Sequence, residues 1–164
     1  MATTLKINRQ HETIKVDDED GSALYEWRVA TDDDSLQRTL NMVGNAMIRA
    51  KDLSDKQAEA KTPEEMAEAT DSLVKLQKRV ISAIIGADGY QDVLRYIGDG
   101  EPCDPAKNIV NIGDVFGALC VWLYEHCTSK QMRDAGIYFD GEKKNAQWRP
   151  DNRASRRAKG KKHK

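Results

Sequence analysis

Apolar and polar residues alternate singly through Leu5 and Ile7, through Ile14 and Val16, and through Tyr25, Trp27 and Val29. That is the period-two pattern of half-buried strands. Residues 17–22 separate the last two runs and contain Gly21, so the spacing predicts a hairpin of residues 13–16 with 24–30, closed by a loop longer than the tight two-residue kind. A lone hairpin is barely stable in water, which requires Tyr25 and Trp27 to pack on the helices behind it. The period then changes. Asp32, Asp33, Asp34 and Ser35 offer acids and a capping side chain to the free N–H groups of a helix start. Leu36, Leu40, Val43, Met47 and Ala50 recur at steps of three and four, one apolar stripe on a polar helix. Beyond Leu53 the segment SDKQAEAK keeps helical propensity without apolar anchors, which predicts an exposed end or a connection.

A second start signal lies at residues 62–65: Thr62 as cap, Pro63 at the first helical position and Glu65 placed to reach back. Met66, Ala69, Leu73, Leu76, Val80 and Ala83 form its stripe, and Val74, Ile81, Ile84 and Ile85 widen it toward the C-terminal end. Pairing with the helix from Leu36 explains this face more simply than a coiled-coil partner. Gly86 stops the helix, and a short one over residues 90–97 presents Tyr90, Val93, Leu94 and Ile97 as a lid on the core. Residues 98–105 hold two glycines and two prolines and read as a surface loop. In the last helix Ile109, Ile112, Phe116, Leu119, Leu123 and Cys127 line one face. Gly113 and Gly117 leave a strip without side chains, so close approach of another backbone is expected to offset their helix cost. An exposed Trp122 would be a partner contact and a buried one simply more core. Past Gly136 no apolar period survives. The expected fold is mainly α: an N-terminal β element over residues 1–31, a helical domain over 32–136 and a disordered basic tail over 137–164.

Charge sharpens that division. Residues 143–164 carry ten Lys or Arg against one acid, a net +9, which leaves 16 basic and 26 acidic residues in 1–142, a net −10. The chain has 164 residues and 39% hydrophobic content, enough for one domain with a modest core. It has neither a run of about eighteen apolar residues nor the basic-then-apolar layout of a signal peptide, so a cytosolic, non-membrane protein is expected. Three cysteines, Cys103, Cys120 and Cys127, form no close pair and suit a reducing compartment.

The residues that carry chemistry are sparse. Zinc needs four N or S ligands, and Cys103, Cys120, His126 and Cys127 are the one internal set; on a helix His126 and Cys127 point about 100° apart. The same geometry spoils a Cys–His nucleophile pair. The aspartates near residue 32 lack the alternate acids, glycine and terminal Glu of a calcium loop. No phosphate loop, dinucleotide fingerprint or nucleophile elbow occurs. Neither an enzyme nor a cofactor is expected.

The order of elements, the Gly-x-x-x-Tyr-x-x-Val-Leu-x-Tyr-Ile-Gly step at 86–98 and the Asn-Arg-Ala-x-Arg-Arg-Ala run at 152–158 resemble the tail assembly chaperones of long-tailed bacteriophages (siphophages). The resemblance implies a mostly helical, non-enzymatic protein of the bacterial host cytoplasm. Such a protein coats the long, helical, aggregation-prone tape measure protein and helps recruit tail tube protein during virion morphogenesis. Tyr90, Ile97, Phe116 and Trp122 are then candidate partner contacts, with the Gly113/Gly117 face offering a groove for an apolar helix. Arg149, Arg153, Arg156 and Arg157 of the basic tail are expected to dock on acidic surface, either residues 17–20 of a neighbouring copy, which would give self-association, or a tail protein. The alternative is a small helical nucleic-acid-associated protein that binds through the same tail. The acidic body and the single Trp148 available for base stacking argue against nucleic acid.

Overall fold

The computed structural model of the protein describes residues 10–17, 23–139 and 148–150. Strands β1 (His11–Asp17) and β2 (Ala23–Ala30) pair antiparallel, with Ile14 opposite Trp27, Val16 opposite Tyr25 and Glu12 opposite Val29. Leu5, Ile7 and the loop over 18–22 lie outside the described residues. Because side chains alternate across a strand, all six of those paired residues share one face of the hairpin. That face turns inward: Trp27 and Val29 are buried. The opposite face meets solvent and carries a Lys15–Glu26 ion pair at 3.6 Å.

Helix α1 (Asp33–Glu59) is capped by Asp32, whose Oδ1 accepts the Ser35 backbone N–H at 3.0 Å. The sequence pointed to Ser35 as the cap; it is instead the residue whose free amide the cap satisfies, three positions into the helix. Helicity continues past Leu53 to Glu59. Leu53 is buried, and Gln57 Nε2 donates to Thr70 Oγ1 at 2.9 Å, so the far end of α1 is tied to its neighbour.

That neighbour is α2 (Pro63–Ile97), opened as expected by Thr62, whose hydroxyl accepts the Glu65 N–H, while Glu65 reaches back to the Lys61 N–H. Its buried face holds Ala69, Leu73, Val80, Ile81, Ile84 and Ile85, whereas Met66 is 42% exposed beside the end of α1, where little remains to cover it. The predicted break falls at Gly86, with φ 87° and ψ 165°. Helix resumes directly, so the chain bends without a separate turn. A Cβ at Gly86 would meet nothing within 4 Å. What reserves the position for glycine is the backbone conformation itself, which other residues essentially do not adopt. Beyond the bend Tyr90, Val93 and Leu94 are buried in the same core as Leu40, Val43, Ile81, Ile112 and Leu123.

Helices α3 (Ile109–Glu125) and α4 (Ser129–Asp134) come next, then strands β3 (Ile137–Phe139) and β4 (Trp148–Pro150), which pair antiparallel. Residues past Gly136 were expected to lack regular structure, so this strand pair is a departure. Ile137, 1% exposed, completes the core from β3.

The close backbone approach expected at Gly113 and Gly117 occurs elsewhere. A Cβ on Gly117 would touch nothing within 4 Å and one on Gly113 only Gln77 Nε2 at 3.6 Å, whereas one on Gly44 in α1 would stand 2.6 Å from the Ala135 carbonyl oxygen. Gly44 lets α1 seat against the turn after α4, and Gln37 reinforces the contact by donating to the Gln131 carbonyl at 3.1 Å. Two substitutions of identical chemistry therefore have opposite effects. Gly44→Ala forces a rigid backbone oxygen to move and costs about 1–3 kcal/mol, while Gly117→Ala, in open space on a helix, stabilises by up to about 1 kcal/mol. Urea denaturation of both variants measures the signs.

Candidate functional site

Where the hairpin's inner face leans over α3, a groove of about 450 Å³ stays open to solvent. Ile14, Val16 and Trp27 form its hairpin wall and Tyr96 closes the α2 end. Val115, Ala118, Leu119 and Trp122 form the α3 wall, with Asp114 as the one charged lining residue among the described residues. The α3 residues recur at steps of three and four, so they stack along one side of the helix. Tyr96 is 46% exposed, and Val121, next to Trp122 on α3, is 57% exposed.

Two polar contacts fix the walls. The Trp27 indole N–H donates to Asp92 Oδ2 at 3.1 Å, and Asp92 also accepts from Arg95 at 3.2 Å. Trp27 can thus be buried without an orphaned donor. At the other end His126 stacks on Trp122, with ring centroids 4.0 Å apart and 26° between the planes. Its Nδ1–H donates to the Trp122 carbonyl at 2.8 Å and its Nε2–H to Glu12 Oε2 at 2.6 Å. An imidazole can donate from both nitrogens only when protonated. The Trp122 carbonyl, foremost, raises the His126 pKa above its ordinary value; burial opposes it, and the Glu12 carboxylate adds to the rise. Glu12 and His126 lie 114 residues apart, so this bond closes the hairpin onto the end of α3.

The four sequence-predicted contacts do not share one surface. Trp122 lines the groove. Tyr90 is 2% exposed and belongs to the core, with its phenol pKa raised chiefly by burial. Ile97 and Phe116 are half-buried against that core, and Phe116 lies about 120° around α3 from Trp122. Gly117 is exposed beside the groove and is not one of its lining residues. Arg149 lies in β4 opposite Tyr138; Arg153, Arg156 and Arg157 are outside the described residues. Sequence reasoning passed over Ile14, Val16, Tyr96, Val115 and Ala118 as walls, and Glu12 and His126 as the closure.

The thiols offer little chemistry. Burial pushes Cys120 up to about 12 and Cys127 to about 11, so both stay protonated at neutral pH, and the nucleophilic form of cysteine is the thiolate. Among the described residues no three His, Cys, Asp or Glu side chains gather as a metal site, and no helix is long and apolar enough to cross a membrane.

The raised His126 pKa gives the hairpin closure a pH dependence. Its stabilisation is complete below the unfolded histidine value, about 6.5, and is lost as pH rises through the higher folded value. Glu12 is 53% exposed, so the pair contributes under about 1 kcal/mol. Glu12→Gln is expected to lower the His126 pKa read by NMR, and to reduce thermal stability at pH 6 with a smaller difference at pH 9. The chain matches no protein-family model, no curated protein and no solved structure.

Proposed function

We propose that this protein is a tail assembly chaperone of a long-tailed bacteriophage, a non-enzymatic binder of the tape measure protein that also helps bring tail tube subunits to it. The observation that supports the reading is the open apolar groove between the hairpin and α3, flanked by the exposed Tyr96 and Val121. A single domain that leaves Ile14, Val16, Val115 and Trp122 along one open channel has a surface suited to the apolar stripe of a helix from another chain. Among the described residues the lining offers many small dispersion contacts and one charge, which suits a grip that holds an aggregation-prone helix and is later given up. The same reading implies action in the cytoplasm of the bacterial host.

Ala118 is exposed and lines the groove, so Ala118→Arg fills the channel from a position the core does not use. On this reading, co-expression with the tape measure protein of the same phage should raise that protein's soluble yield severalfold. Ala118→Arg should lose most of that gain while keeping the wild-type circular dichroism spectrum and melting temperature. A tape measure protein equally insoluble with and without the wild-type chain would end the chaperone reading.

A further inference from the structure

We propose that the groove selects its helix by charge: its occupant is an amphipathic helix whose apolar stripe is flanked by Lys or Arg, with one cation set against Asp114. This rests on the chaperone reading for the partner being a helix; its charge is argued from the groove itself.

Among the described residues, Asp114 is the one charged residue of the lining and has no ion-pair partner. Among the described residues, two other acids bonded beside the walls are already engaged. Asp92 is held by Trp27 and Arg95, and Glu12 by His126. An occupant that covers the channel therefore removes water from one uncompensated carboxylate. A cation at that point restores its partner, whereas an apolar or acidic residue leaves it stranded or repelled. The wider field has the same sign, since residues 1–142 hold 26 acids against 16 bases, so a cationic helix is also drawn in from a distance.

Other occupants fit worse. The chain's own basic segment over 151–164 has alanine as its only apolar side chain and cannot fill an apolar channel. A second copy applying the same groove would set one acidic rim against another, because a two-fold contact uses the same patch on both subunits. Nucleic acid meets the same repulsion.

The test uses two synthetic helical peptides with one identical leucine stripe at i, i+3, i+4 and i+7, one flanked by lysine and the other by glutamate. They are titrated by fluorescence anisotropy into the full-length protein, into Asp114→Lys and into Ala118→Arg at low salt. Wild type should bind the lysine peptide roughly three- to fivefold more tightly than the glutamate peptide. Asp114→Lys should reverse the order, Ala118→Arg should weaken both, and added salt should shrink the preference. Asp114 is exposed, so its variant is expected to fold, and its circular dichroism checks this.

Equal affinity for the two peptides, or a preference unmoved by Asp114→Lys, overturns the proposal. Dimerisation abolished by Ala118→Arg, with neither peptide bound, also overturns it by giving the groove to a second copy. These outcomes are separable from the chaperone reading. A tape measure protein solubilised by a chain that ignores peptide charge would sink only the present inference. A charge-selective groove that leaves the tape measure protein insoluble would sink only the chaperone reading.

Discussion

The burial of Trp27 is the contact on which the rest of the N-terminal half depends. Two strands alone bury too little to stand in water, and the β1–β2 hairpin stands because this indole, 6% exposed, joins the helical core. Burying an indole is favourable only if its N–H keeps a partner, and Asp92 supplies one from the helical segment beyond Gly86. The bond thus sets where the hairpin lies over the helices. Once Trp27 is fixed, the strand register leaves Ile14 and Val16 beside α3, and the groove between them is a consequence of that register. A slip of one residue would turn the inner face outward and erase it.

Asp92 can reach Trp27 because α2 is bent. A straight helix over the whole of Pro63–Ile97 would run roughly 50 Å, longer than so small a core can cover. The glycine-only conformation at Gly86 redirects the last turns, so Tyr90, Val93 and Leu94 close the core that Val80, Ile81 and Ile84 begin. The energetics favour this, because the bend gives up a few intrahelical hydrogen bonds and gains burial of three large side chains at roughly 1.5–3 kcal/mol for each Val- or Leu-sized one.

Legibility in the sequence depended on how local each signal was. The hairpin, the Thr62 start and the break at Gly86 were readable because each is written within a few residues: alternation, a cap leading into proline, and a glycine after the last apolar position. Helix α4 was equally local and was passed over, although Thr128 and Gln131 form a capping box of the Thr-x-x-Gln kind. Its six residues are too short to show an apolar period. Other features were not local at all. Gly44 carries no local mark in the sequence, and only Ala135, 91 positions later, reveals its purpose. Likewise the groove joins residues 14, 96 and 118, which no window spans. Aromatic type misled at Tyr90, since a tyrosine near a turn fits a core or a surface equally until its neighbours are known.

The groove's persistence needs a physical reason, because exposed apolar surface favours collapse. The hairpin wall is fixed in place by two polar contacts: Trp27 with Asp92 of α2, and Glu12 with His126 at the end of α3. The hairpin cannot slide inward over Val115 and Ala118 without breaking them, and the stacking of His126 on Trp122 holds that indole at the edge of the channel. The two struts differ in kind. The first anchors a buried side chain and draws on the stability of the core, while the second joins partly exposed groups and carries little energy. Opening of the hairpin is therefore easier at the His126 end than at the Asp92 end. An occupant that enters beside Trp122 would meet the more yielding wall first and the fixed one last.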